Sequence, residues 1–462
     1  MRESVEVPAG TPLAFSESER PKGDPVFPKL GMLAPVLGAL LALGCSSEAG
    51  GAGGSGGSAG MGGQAGTGGG GGMTADCTLS GEWENKGSWG TATSTYGNVV
   101  LMQNPIDDSL WQAVLRVDET VADKLDIALF RSVDVGESWN EIASWEFPGE
   151  RRGWPSDAAM AADGTIFVVL REYTVVDGAA TDRFVKLLRY APGGDLEEAG
   201  VFNPEGSTDT RSATITTRGS EAWFIAYDVT PVPPDWHIVK YANGMLLGSF
   251  DVIRYGQNVF VRDLAVAPNG KIWTVGQGHV NDSEVWRATI WEEGESSFSL
   301  LAEFERTPGV DEADTMMALA FDADDRFWTS YYTIHEGAYR WRAGYGMAND
   351  PQSTFALRDE FALDESKSSQ TQHIAIHPSG EVFTGGYAVD AGDMQWGIVR
   401  RGTTNAFAPF DEFNHDESGD FKTEVSSILA DTQGNVWVAY MSRPSTGWSP
   451  KLTTLRKMAC VR

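Results

Sequence analysis

Apolar positions in this chain come in short alternating runs, and the runs fall into groups. Stretches of small apolar residues open the groups: DAAMAA from Asp157, DLAVA from Asp263, MALAF from Met317, HIAIH from His373 and SSILA from Ser426. A tight turn follows each, in turn ADG, PNG, DADD, PSG and TQG. Next comes a β-branched and aromatic run such as KIWTVG or NVWVAYM. After a variable stretch, a third run mixes charge with apolar residues, as in RFVKLLRY, VWRATIW and LTTLRKM. A fourth ends on an aromatic: Phe147, Phe202, Phe250, Phe304, Phe361 or Phe413. Alternation in runs this short predicts strands, not helices. Each group therefore reads as a four-stranded unit.

The second strand of each unit centres on one aromatic: Trp111, Phe167, Trp223, Trp273, Trp328, Phe383 and Trp437, about 54 residues apart. Three or four positions earlier stands Gly164, Gly219, Gly270, Gly380 or Gly434, and Asp108 and Asp325 fill that place in the other two units. Glycine there supplies the positive φ of a hairpin turn. The aromatics are expected in the core, packed between neighbouring sheets. Seven consecutive units predict an all-β, seven-bladed β-propeller of four-stranded blades over residues 77–462. The last unit stops after its third strand. Before the first unit stands an orphan segment, Thr78–Glu84, with Trp83 where other units have Phe. It is expected to complete the last blade and close the ring, which removes free sheet edges. Cys77 and Cys460 are then expected to face each other at the seam and to form a disulfide in an exported protein, the alternative being two free thiols.

Residues 1–76 lack this pattern. Leu30–Gly44 is apolar but too short to cross a bilayer as a permanent helix, and it reads as the core of an export signal. Ala49–Gly72 is almost free of side chains and is expected to be a flexible tether spanning about 25–30 Å. Between them, Leu41–Cys45 (LALGC) resembles the lipobox of bacterial lipoproteins, with its large apolar residue one place nearer the cysteine than usual. The resemblance implies cleavage before Cys45, diacylation of its thiol, and, from Ser46, sorting to the outer membrane. The alternative is an ordinary cleaved signal. The expected organisation is a leader (1–44), a tether (45–76) and a propeller (77–462), monomeric and membrane-held through the lipid.

A net charge of −29 repels phosphate and argues against a nucleic-acid partner. Three cysteines in all (Cys45, Cys77, Cys460) exclude a disulfide-dense scaffold. The six histidines show no metal-ligand spacing, and no phosphate-binding or dinucleotide fingerprint occurs, so neither metal nor cofactor is expected.

One stretch is specific. Ser132-Val133-Asp134-Val135-Gly136-Glu137-Ser138-Trp139 matches S-x-D-x-G-x-[ST]-W and so resembles the Asp-box of bacterial-neuraminidase-type repeats. It lies between the third and fourth strands, as in that superfamily. The resemblance implies a structural turn: Asp134 accepts backbone N–H bonds while Trp139 packs beneath. Sialidases of the group have six blades, an Arg-Ile-Pro motif and an arginine triad. This chain counts seven units, and its nearest stretch, Phe130-Arg131-Ser132, lacks Ile-Pro. Seven-bladed relatives include polysaccharide lyases, xyloglucanase halves and non-enzymatic assembly factors, and fold alone does not choose among them.

The residues before each inner strand and in the loops between second and third strands are expected to crowd one face. There the chain places Arg171, Asp157, Arg211, Arg262, Asp263, Asp314, His373, Trp286 and Trp396 as ligand-binding candidates. Arginine holds carboxylates bidentately, and aromatic faces stack on sugar rings. His279 and His335, with Tyr332 and Glu172, are the acid–base candidates. Two functions follow: a binding or scaffold propeller for a glycan or envelope protein, or a carbohydrate-active lyase or hydrolase using the same face.

Overall fold

A computed structural model describes residues 60–61, 64–65, 78–89, 96–118, 124–176, 179–205, 207–229, 235–252, 259–279, 286–304, 314–335, 338–415, 421–444 and 452–461. Seven four-stranded antiparallel blades form a seven-bladed β-propeller. Blades 1 to 6 span residues 96–146, 151–202, 210–252, 259–304, 314–361 and 369–413, and each is a meander from inner to outer strand. Blade 7 takes three strands from residues 421–461, and Thr78–Trp89 pairs antiparallel with the third, from Thr78 opposite Val461 to Trp89 opposite Thr453. Trp83 lies on that added strand, edge-on to Phe410 of blade 6 at 5.3 Å and under the Arg456 guanidinium at 5.1 Å.

The repeat is as regular in space as in sequence. The seven turn residues Asp108, Gly164, Gly219, Gly270, Asp325, Gly380 and Gly434 all have φ between 57° and 85°. Asp108 and Asp325 therefore occupy the left-handed conformation that glycine supplies elsewhere, which Asp tolerates better than most residues. The seven aromatics are at most 4% exposed, and burying each is worth about 1.5–3 kcal/mol. They join blades: Trp273 of blade 4 meets Phe321 and Phe327 of blade 5 at 5.2 and 6.0 Å, and Trp328 of blade 5 meets Phe407 of blade 6 at 6.3 Å.

Inner strands carry a second regularity that the apolar pattern hides. Their pairing with the second strand slips at one level in blades 2 to 7, a β-bulge between Pro155 and Asp157, Ser212 and Ile215, Val261 and Asp263, Met316 and Ala318, Thr371 and His373, and Val425 and Ser427. The residue just past the bulge often binds the next blade. Asp157 accepts from the Ile215 N–H (3.0 Å), Asp263 from Leu319 (2.8 Å) and Ser427 from Leu101 (3.1 Å), while His373 hydrogen-bonds the Val425 backbone. These polar side chains satisfy inner-strand backbone groups that a neighbouring strand would otherwise serve.

The Ser132–Trp139 turn lies at the junction of blades 1 and 7. Asp134 accepts from the Ser138 N–H (2.9 Å), from the Ser138 hydroxyl (2.5 Å) and from the Ser132 hydroxyl (2.7 Å). Those bonds, that to the Ser138 hydroxyl first, hold its carboxyl at about 2. Gly136 sits against the Trp437 ring so closely that a Cβ there would be 2.3 Å from it. Val135 and Trp139 pack on the same cluster, and Glu137 pairs with Lys86 at 2.5 Å.

Candidate functional site

Because the strands are antiparallel, inner strands begin where second strands end. Thr210 faces Asp228, Asp314 faces Thr333 and Ser369 faces Ala388, so these corners share one face of the ring. On this face the position four residues past the core aromatic recurs: Arg171, Tyr227, Gln277, Tyr332 and Tyr387 in blades 2 to 6.

Blades 2 to 4 contribute a cluster of arginines. The Asp209 carboxylate takes Arg211 (2.8 Å), Arg183 (2.6 Å) and Arg171 (3.3 Å) at once. Burial pushes Asp209 up, yet Arg211, Arg171 and Arg183 together hold it below the usual carboxylate range. Burial, with Arg211 close by, brings Arg171 down to about 10. One acid thus serves three bases. Arg171 also lies over Trp154 at 5.4 Å. Tyr227, 4% exposed, is stacked on Trp236 with centroids 4.3 Å apart. Burial raises its phenol, while Arg211, Arg171 and Arg262 act in the opposite sense, so all three guanidinium groups lie within electrostatic reach of it.

Arg262 is the extra residue of the blade 4 bulge. It is 3% exposed, its guanidinium lies over Phe260 at 5.6 Å, and its Nε has no hydrogen-bond partner. No carboxylate among the described residues pairs with it. It also acts on Tyr339 of blade 5. Bulges commonly re-aim a side chain, and the arginine on this one acts electrostatically on both Tyr227 and Tyr339. Past it the face becomes phenolic. Tyr339 stands edge-on to Tyr332 at 5.0 Å, and Tyr387 is raised by burial first, then by Glu424, Tyr339 and Tyr332.

No protein-family model matches this chain, and no curated protein does. Solved structures do. The polysaccharide lyase Uly1 is 13% identical with a TM-score of 0.46, over 80% of this chain and 91% of that one. Sqt1 of Chaetomium thermophilum is 11% identical at 0.46, over 82% and 100%. An α-L-arabinanase of Penicillium chrysogenum is 10% identical at 0.43, over 83% and 96%. Similarity at this level assigns no reaction and no ligand.

The structure divides the residues singled out in the sequence. It brings Arg171, Arg211 and Arg262 together with Tyr332 on one face. It gives Asp157, Asp263 and His373 to the joints between blades, where all three are buried and bonded to backbone. Burial brings His373 down to about 4. Glu172 is fully buried and ion-paired to Arg151 (2.6 Å) and Lys186 (2.8 Å), which suits a structural anion rather than a proton donor. Trp396 donates its indole N–H to Asp390 at 3.0 Å and packs beside Trp341 and Ile398. Asp314 begins the blade 5 inner strand and is buried. His279 and His335 end the second strands of blades 4 and 5, and Trp286 stands opposite His279. Their side chains lie outside the described residues, as do Cys45 and Cys77 entirely. The described residues hold no cluster of metal-ligating side chains. The sequence reading did not select Arg183, Asp209, Tyr227 or Tyr339. The tyrosine four places after the core aromatic, repeated in blades 3, 5 and 6, was the legible signal for Tyr227.

Proposed function

We propose that this protein is an envelope-anchored binding propeller whose face at the inner-strand starts holds an acidic glycan. The observation that carries the reading is Arg262: buried, re-aimed by a bulge, and without a carboxylate partner among the described residues. An unpaired buried guanidinium is costly unless an anion completes it. The arginine cluster on Asp209 adds positive charge beside it, and the half-buried Tyr339 and Tyr387 offer ring faces to a sugar. Binding is favoured over catalysis because the described phenols Tyr227, Tyr339 and Tyr387 are all displaced upward, away from neutral pH.

The rest of the proposal concerns placement. Lipidation at Cys45 and outer-membrane sorting rest on the LALGC resemblance and Ser46. The Ser132–Trp139 turn is read as an Asp-box on its motif and on the bonds Asp134 makes. A Cys77–Cys460 disulfide is supported by sequence position: Cys77 directly precedes the strand from Thr78 that pairs with the strand carrying Cys460. Closure of the ring by the strand beginning at Thr78 is supported by the pairing of that strand with the last strand of blade 7.

A glycan array probed with the full chain, run beside a depolymerisation screen on the same polysaccharides, tests the function. Retention of acidic glycans without cleavage is expected. Release of unsaturated or reducing ends would replace this reading with the enzymatic one. That second reading has its own support, since His279 and His335 occupy the same corner of successive blades, with Tyr332 three residues before His335.

A further inference from the structure

Two of the residues that bind blade to blade are carboxylates, and they meet. Asp157 and Asp263 are both fully buried. The Thr214 hydroxyl of blade 3 lies 2.8 Å from Asp157 Oδ2 and 3.3 Å from Asp263 Oδ1. Asp157 also accepts from the Ala158 and Ile215 N–H groups, and Asp263 from the Leu264 and Leu319 N–H groups. Asp263 therefore touches blade 3 through Thr214 and blade 5 through Leu319, while Asp157 holds blade 2 to blade 3.

The contacts do not balance if both acids are ionised. A threonine hydroxyl has one proton to donate and here faces two carboxylate oxygens. Two buried negative charges that share one hydroxyl also repel. A single added proton resolves both problems. With Asp263 Oδ1–H donating to Thr214 Oγ, and Thr214 Oγ–H donating to Asp157 Oδ2, each contact runs from donor to acceptor. We propose that Asp157, Thr214 and Asp263 form a one-proton latch across blades 2 to 5, closed while the proton is held and weakened when it leaves.

The environment supports retention of that proton. Burial, ahead of every other influence, raises Asp263 well above the ordinary carboxylate value, and Asp157 raises it further. The cations on the neighbouring inner strands have partners elsewhere: Arg151 with Glu172, Arg152 with the Gly149 and Arg151 carbonyls, Arg211 with Asp209, and Arg218 with Glu221 and Glu293. Arg262, next to Asp263 in sequence, acts on Tyr227 and Tyr339. Asp314, at the start of the blade 5 inner strand, is a further acid on a packed element and adds no positive charge.

The sign follows from linkage. Asp263 binds a proton more tightly folded than unfolded, so its contribution is complete below the ordinary Asp value and is lost as pH rises toward the folded one. Asp263→Asn keeps a donor toward Thr214 and an acceptor toward Leu319, loses the acceptor for the Leu264 N–H at a cost that does not depend on pH, and has no proton to lose. Denaturant unfolding of the full chain between pH 5 and pH 9 compares the two proteins. The wild-type unfolding constant should rise relative to that of Asp263→Asn by about tenfold per pH unit until Asp263 ionises. A ratio independent of pH would overturn the latch. Should the variant not fold, infrared spectroscopy decides. A protonated-carboxyl stretch that persists at pH 7 and shifts in Thr214→Val supports the latch, and a stretch that is absent or unmoved refutes it.

Discussion

A charge taken out of water must find a partner or remain a liability, and among the described residues no carboxylate pairs with the buried Arg262. Arg262→Met removes the liability and keeps the bulk. It should leave the melting temperature unchanged or higher while weakening acidic-glycan binding at least tenfold, read by calorimetry and scanning fluorimetry on one sample. His373 behaves in the opposite way. Burial keeps it neutral, with its value brought from an ordinary 6.5 to about 4. Its neutral form stabilises the fold fully above pH 6.5, and that share is lost as pH falls through about 4, a total of about 3 kcal/mol. His373→Gln should flatten the acid limb of the stability curve over that window. At this scale the sequence was a partial guide. It marked arginines as scarce and placed Arg171, Arg211 and Arg262 on one face. It did not separate them from Asp157, Asp263 and His373, because burial and a backbone partner in the next blade are not properties of a local string.

Turns and strands were far more legible, since period-two alternation and positive-φ positions are local properties. The seven aromatics and the seven turn residues ahead of them all fell where expected. The bulges did not show, because an inserted residue alters register without altering composition. Two element-level tests follow. Asp431 is buried and accepts the Gln433 and Asn435 N–H groups, the Asn435 amide and the Trp437 indole. Asp431→Ala orphans those donors and should cost about 3 kcal/mol in urea unfolding. Gly136→Ala meets both a positive φ of 80° and the Trp437 ring, and should cost about 2–4 kcal/mol. A smaller Trp437→Leu side chain should recover part of the loss in the double variant, which a contact between blades predicts and a purely local turn effect does not.

For the whole molecule, blade number was countable in advance because each unit repeats its core aromatic. Partner and ligand were not, because they depend on how corners of different blades converge. On the proposed closure, the seam between blades 7 and 1 is the joint on which the ring depends. With a Cys77–Cys460 bond in place, reduction should lower the melting temperature, since the linkage closes nearly the whole propeller into one loop, worth about 5 kcal/mol or less. Cys460→Ser should start from the lower value and show no response to reductant.

The bulge has one more consequence. The staple residues hold the ring while the extra residue beside them, Ser156, Arg262, Met317, Gln372 or Ser426, is released from the ladder. Variation at these places changes what the ring presents without changing what holds it together. The propeller thus has a built-in set of interchangeable sockets at one height, open to redesign one blade at a time.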